Sequence, residues 1–421
     1  MHGIVKIIRN VLISISGKED ATHMTSRERV VRALSHEKTD RIPIDLGGSI
    51  VTGINSMAYQ NVKRYLGLSD TRSRVTNIIL MLSEVEGEFI GRWKIDVLPL
   101  DRYEAAPGVP LSGKWIEHPL PDGQPAWFPE GFKPEIREDG TWALRREGIV
   151  TDILSPGSGS FVPAHHPLKD ATVKDLDSFE IPVISDEELE YLHRRAKYLY
   201  EETDYAIFGW FNGSIFETSQ FLCGWDGFML RLAAEKDFAS KLLGKLTDAV
   251  IRDLKLYLDA VGEYIQVIGF GDDFGIQDGL QISKEMFREM IKPHLKRIYG
   301  FAKKSTDAFL FLHSCGSVSE LIEDFIEMGI DVLNPVQTSA QNMSLPYLKE
   351  KFGERISFWG GGCDVQKILP MGSEEEIRRD VRERLELFRD SGGFVFAPIH
   401  NIQADVPPKN IVAMYDEAAG Q

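Results

Sequence analysis

Three side chains in this sequence combine metal-ligand chemistry with a suggestive setting: His313, Cys315 and Cys363. The first two close the apolar run Phe309-Leu310-Phe311-Leu312 and are followed by Gly316. The third follows Ile356-Ser357-Phe358-Trp359 and three glycines. A short apolar run that stops at a turn residue reads as a buried strand of a parallel sheet. Two such strands, if parallel, deliver their last residues to one rim. One imidazole and two thiolates form a set that zinc accepts, and three protein ligands leave the fourth tetrahedral position open for chemistry. Zinc so bound has no net charge; it can hold a thiol as thiolate or polarise an ether or phenol oxygen. The competing reading is a buried histidine and two inert thiols, because free cysteine is among the most buried residue types. Two of only three cysteines falling at strand ends favours the metal. Cys223, between Leu222 and Gly224 in an apolar stretch, reads as packing.

The whole chain fits an enzyme core. At 421 residues with 43% hydrophobic and 10% aromatic content, it can bury a large interior, and disorder is excluded. A formal net charge of -16 with no basic cluster argues against nucleic acid as a partner. Three cysteines make no disulfide framework, and reduced thiols suit the cytoplasm. No apolar run approaches the ~20 residues that span a bilayer. Residues 1–23 hold Ile4, Val5, Ile7, Ile8, Val11, Leu12 and Ile15, interrupted by Lys6 and Arg9. That stretch is a poor signal core. We expect an appendage ahead of a natural start at Met24, a membrane-surface anchor being the other reading.

The elements that must position the ligands follow a regular rhythm. Thr25-Ser26-Arg27-Glu28 opens a capped helix. A first strand is expected at Arg41–Gly48, helices near Ser56–Leu66 and Ile78–Arg92, and a second strand at Lys94–Pro99. Residues 101–185, dense in glycine, proline and tryptophan, read as a β-rich insertion folded over one end of the core. From 186 onward helices alternate with strands expected at 205–211, 264–270, 308–313, 330–335, 356–361 and 393–398. Eight strands alternating with helices predict a (β/α)8 TIM barrel, whose active sites lie at the C-terminal rim. The alternative, a doubly wound sheet, announces itself with a glycine-rich dinucleotide turn after the first strand, and Gly47-Gly48 is not one.

The strand ends then become a list of candidates. They are Asp45, Trp210, Asn212, Gln277, Asn334 and Gln337 for substrate, and Asp272, Asp273 and His400 for catalysis, with Asp364 beside Cys363. Asp273 or Asp364 could supply a fourth metal ligand; the Asp272-Asp273 pair reads equally well as a turn that caps the next segment. His400 reads as a general acid, a substrate ligand or a hydrogen-bonded loop histidine. Trp115, Trp127 and Trp142 in the insertion could wall an aromatic substrate, though such residues more often pack.

Several stretches resemble the uroporphyrinogen decarboxylase superfamily. They are Gly271-Asp272-Asp273-Phe274-Gly275-Ile276-Gln277, Ile282-Ser283-Lys284-Glu285-Met286-Phe287-Arg288 with Ile291-Lys292-Pro293, His313-Ser314-Cys315-Gly316, and Ile399-His400-Asn401-Ile402. The likeness extends over about 205–418 and, more weakly, Met24–Leu100. One branch of that superfamily decarboxylates porphyrinogens without a cofactor. Another consists of zinc methyltransferases that exchange a methyl group with a corrinoid protein or a thiol such as coenzyme M. The metal motif of the second, His-x-Cys with a distant Cys, falls on His313, Cys315 and Cys363. The first branch grips substrate carboxylates with arginines after the first strand; here Asp45–Ile54 contains none. The resemblance therefore implies a zinc-dependent methyltransferase, with a corrinoid (cobalamin) supplied in trans by a partner protein. The expected methyl donor is a methoxy compound, methylamine or methanol, or the acceptor a thiol. The alternatives are a metal-free decarboxylase and a non-catalytic small-molecule binder.

Overall fold

In the computed structural model, which describes residues 24–421, seven parallel strands run side by side in chain order. They are Val97–Leu100, Ala206–Asn212, Val267–Gly271, Phe309–His313, Val332–Asn334, Ser357–Trp359 and Phe394–Val395. The eighth position is filled by one residue. Ile44 bridges Ile95 on one side and Phe396 on the other, both in parallel sense. Asp45 N–H donates to Phe396 O and Asp96 N–H to Ile44 O, each at 2.8 Å. The curled sheet is thus closed into the expected TIM-like barrel, with its first strand reduced to a single bridge. Residues 1–23 lie outside the described part.

Period-two alternation sorts the strands into an inner and an outer face. Val97, Phe208, Trp210, Val267, Phe311, Val332, Trp359 and Val395 fill the barrel. Ile207, Ile268, Leu310, Leu312, Leu333 and Phe358 face the helices. Phe208, Phe311 and Trp359 meet edge to face inside, with ring centroids 4.9–5.6 Å apart, the geometry that aromatic quadrupoles favour. Gly269 makes room for this packing: a Cβ there would stand 2.6 Å from both the Phe208 and Trp210 rings.

The helix Ser26–Leu34 carries the expected capping box between Thr25 and Glu28. Below the barrel, buried Asp96 accepts from Arg29 and Arg41 at 2.6 Å each, tying this helix to the second strand. The expected helix at Ile78–Arg92 does not form as such. Asn77 Oδ1 accepts from Leu80 N–H and Met81 adopts φ 53°, so the chain turns between two short paired strands, Val75–Asn77 and Leu82–Ser83. Only Gly87–Arg92 is helical. The apolar run Ile78–Leu82 lacks the 3.6-residue period that a helix needs. The long helix expected at 283–304 is broken by a π-helical stretch, Phe287–Ile291, before Lys292–Ser305. Pro293 explains the break: its ring would clash with the Glu289 carbonyl in an unbroken α-helix.

Residues 101–185 are β-rich, as expected. They contain the hairpin Trp115–Pro119/Pro125–Pro129 and a four-stranded antiparallel sheet ending at Val162–Pro163. Phe128, Phe132, Trp142, Leu154 and Phe161 give this region its own small core. Trp115 and Trp127 lie under the guanidinium groups of Arg74 and Arg72. All three tryptophans therefore serve packing of the insertion. Asn55 Nδ2 donates to Gly159 O and Phe161 N–H to Ile79 O, which pins the insertion to the loops above the barrel. No described helix is long and apolar enough to cross a membrane.

Candidate metal and active site

The strand Phe309–His313 ends with its histidine 6% exposed at the C-terminal rim. His313 Nδ1 lies 2.6 Å from Asn334 Oδ1, an oxygen that only accepts, so Nδ1 carries the proton and Nε2 keeps a free lone pair. Asn334, wholly buried at the end of the next strand, is itself oriented by donating Nδ2 to Trp359 O at 2.9 Å. The lone pair of His313 Nε2 faces Cys315 Sγ at 3.2 Å. His400 stands across from them, its ring centroid 5.3 Å from that of His313. Ligand atoms of His313, Cys315 and His400 all lie within 4.8 Å of one another. This is the spacing that a single ion could bridge.

Acidic groups gather on one side. Asp273 Oδ1 accepts from Cys315 N–H at 2.7 Å and stands 3.9 Å from His313 Nε2. Glu217, on the helix Phe216–Cys223, was not foreseen from the sequence; burial, Asp273 and Asp272 together push its carboxyl up to about 8. Burial, with the charges of Asp273 and Glu217, also holds the Cys315 thiol well above its ordinary range. His400 is driven the other way, down to about 3, by burial and by His313. A divalent cation here would reverse the first two penalties and be met by a neutral imidazole. The donor set thus fits a thiophilic metal such as zinc. Glu217 could have been suspected only from its place in Asn212–Glu217, just beyond a strand end.

The remaining candidates separate. Asp272 accepts from Ser214 Oγ and the N–H groups of Ile215, Phe216 and Glu217 at 2.8–3.1 Å, so it caps a helix start. Asp45, fully buried, accepts from Trp359 Nε1 at 2.8 Å and Gly48 N–H at 2.7 Å, and shapes the loop above the first strand. Gln337 accepts from Gly316 N–H and donates to Gln277, so both glutamines brace the turn that carries Cys315. Asp364 accepts from Gln366 and Lys367 N–H in a local turn. Asn212 is exposed and does not join the cluster. Cys363 is buried, and burial, then the charge of Asp380, raises its thiol well above the ordinary range; it is not among the ligand atoms that lie within 4.8 Å of one another.

Trp210 links this cluster to a cavity. Its ring lies 6.5 Å from that of His313, and it lines a small cleft of ≈ 110 Å³ together with Phe208, Ser49, Thr76, Asn77 and Asp101. Asn401 fixes one wall, accepting from Gly53 N–H at 2.6 Å and donating to Ile50 O at 2.8 Å. The fold and rim cluster together describe a TIM-like barrel with its chemistry at the C-terminal mouth.

The chain belongs to the uroporphyrinogen decarboxylase (URO-D) family, whose model matches residues 155–420. A uroporphyrinogen decarboxylase from Magnetococcus marinus is 25% identical over 179 residues, 41% of this chain and 46% of that protein. The chain thus matches about half the length of that relative. Among solved structures, a methyltransferase from Methanosarcina mazei superposes over 94% of this chain and 98% of its own, with TM-score 0.55 and 17% identity. That likeness shows a shared fold.

Proposed function

We propose that this protein is a zinc-dependent methyltransferase that moves a methyl group between a small molecule and a corrinoid protein. The observation that carries the reading is the convergence of His313 Nε2, Cys315 Sγ and His400 within 4.8 Å at the barrel mouth. Membership of the URO-D family and a fold shared with a methyltransferase support it. Zinc bound there would supply Lewis acidity toward the heteroatom that gives up or receives the methyl group. The chain's own residues would hold and tune it. His313 presents Nε2 because Asn334 fixes its tautomer, and outer-shell partners of this kind raise ligand basicity. Asp273 orients the Cys315 backbone, and Trp210 walls the space in which the small molecule must lie.

Two residues compete for the third ligand position, each on a specific observation. His400 is already in place. Cys363 supplies the second thiolate of the sequence motif and is carried on Gly360-Gly361-Gly362, whose first two residues have φ 89° and 80°. Burial, and after it the charge of Asp380, holds its thiol well above the ordinary range, a penalty that a bound cation would offset.

The decarboxylase reading finds less support. Asp45–Ile54 offers no arginine, and Arg102, the basic residue among those lining the cleft, is ion-paired with Glu188. A polycarboxylate substrate would meet no free cation there. The test is a two-arm assay with a corrinoid protein encoded nearby. Methoxyarenes, methylamines and methanol are offered as donors in one arm, and thiols as acceptors from the methylated corrinoid in the other. Zinc-dependent change in corrinoid absorption in either arm is expected. Silence in both arms, with carbon dioxide released from a porphyrinogen, would hand the case to decarboxylation.

A further inference from the structure

The cleft beside Trp210 has a chemistry of its own. Asp101 lines it half-buried, just beyond the second barrel strand. No hydrogen bond reaches its carboxylate from any described residue, and the charges that act on it, Arg195 drawing its pKa down and Glu84 pushing it up, oppose each other. Burial is the larger influence and raises the carboxyl to about 6. At neutral pH the group is still mostly ionised, so a half-buried carboxylate without a hydrogen-bond or ion-pair partner among the described residues stands at the edge of a cavity. The other ionic groups of the lining are already engaged. Arg102 is paired with Glu188, and Glu104 accepts from Gly108 N–H at 2.9 Å. The same lining includes two aromatic residues, Phe208 and Trp210, with ring planes 20° apart and centroids 6.3 Å apart. A carboxylate without a partner and aromatic side chains lining one cleft together supply what recognises ammonium groups, charge and the ring quadrupole.

We propose that this cleft binds a small molecule bearing a cationic nitrogen, with Asp101 as its counter-charge and Trp210 as the aromatic face against which it lies. Thr76 and Asn77 in the same lining offer neutral polar anchors for the remainder of the ligand. Seated there, the ligand reaches toward the metal cluster past Trp210, whose ring adjoins His313. That this molecule is the methyl-transfer substrate rests on the function proposed above; its binding does not.

Calorimetric titration of the full chain tests the assignment. The cationic probes are tetramethylammonium, choline and benzyltrimethylammonium. The neutral match for choline is 3,3-dimethylbutan-1-ol, and benzoate is the anionic control. At least one cation should bind with Kd below about 1 mM. Choline should bind at least about tenfold tighter than its neutral match, and benzoate should not bind. Asp101→Asn, checked for folding by its melting curve, should erase the preference for charge. The proposal is overturned if no cation binds, if the neutral alcohol binds as well as choline, or if folded Asp101→Asn keeps the discrimination. The wild-type comparison needs no variant, so a variant that failed to fold would leave the test intact. Cation binding without zinc-dependent methyl transfer would sink the function and keep the pocket. Methyl transfer from a neutral methoxy compound, with no cation bound, would do the reverse.

Discussion

His313 Nδ1 and Asn334 Oδ1 lie 2.6 Å apart, two strand ends joined by one short hydrogen bond. The bond decides which imidazole nitrogen faces the cavity. It exists because parallel register sets His313 opposite Asn334. Replacing Asn334 by Ala frees the ring to rotate and change tautomer. Zinc affinity, measured by competition with a chromophoric chelator, should fall roughly 10–100-fold. Unchanged affinity would mean that His313 is not a ligand.

The third ligand can be assigned by paired substitutions. With His400 in the observed place, His400→Gln should lose most bound zinc and Cys363→Ser should keep it. The opposite pattern would show that the Gly360–Gly362 turn refolds to bring Cys363 to the ion. Cys315→Ser should release zinc in either case, because a neutral hydroxyl is a poor substitute for thiolate.

Asp272 and Asp273 are neighbours with different work. Asp272 satisfies three backbone donors and a hydroxyl at a buried helix start. Asp272→Ala should destabilise the fold by about 2 kcal/mol or more, from the lost cap and the stranded donors, with a lowered Tm. Asp273→Asn should leave Tm nearly unchanged and alter metal binding. Unaltered stability of Asp272→Ala with abolished turnover would instead make Asp272 a catalytic group.

A pH signature should come from Asp45, whose carboxyl burial raises from 3.8 to about 6. Between these values the folded state binds the proton and the unfolded state does not. This contribution is therefore full below about pH 4 and is lost as pH rises through 6, a swing of about 3 kcal/mol. Stability of the wild type measured against Asp45→Asn from pH 4.5 to 7 should show the difference closing in the variant's favour. A flat difference would show that the donors Trp359 Nε1 and Gly48 N–H hold Asp45 ionised throughout.

Much of this was legible in the residues. The run Phe309–His313 with its turn, the strand at Val332–Asn334 and the barrel rhythm follow from apolar runs bounded by polar strand ends, a local signal. Distances between strand ends obey no such local rule. The placement of Cys363 depends on a glycine turn held by Arg384 Nη1 donating to Gly361 O, with Arg384 itself paired to Asp380. Those partners lie on a helix some twenty residues later. Asp101 was hidden for the same reason. A lone aspartate after a proline-containing strand looks like loop until the cavity beside it and its missing partners are seen. Asp45 and Asp272 read as rim groups from their positions, yet tertiary donors consumed both. The single-bridge first strand at Ile44 shows how little hydrogen bonding suffices to close the barrel where neighbours on both sides supply the register.

The proposed chemistry depends on a metal held at His313 and Cys315. Protein purified without a histidine tag and dialysed against micromolar zinc should carry close to one zinc per chain by elemental analysis. X-ray absorption at the zinc edge should show both sulfur and nitrogen in the first coordination sphere. Failure of the folded protein to retain zinc, or a sphere of oxygen ligands alone, would contradict the account.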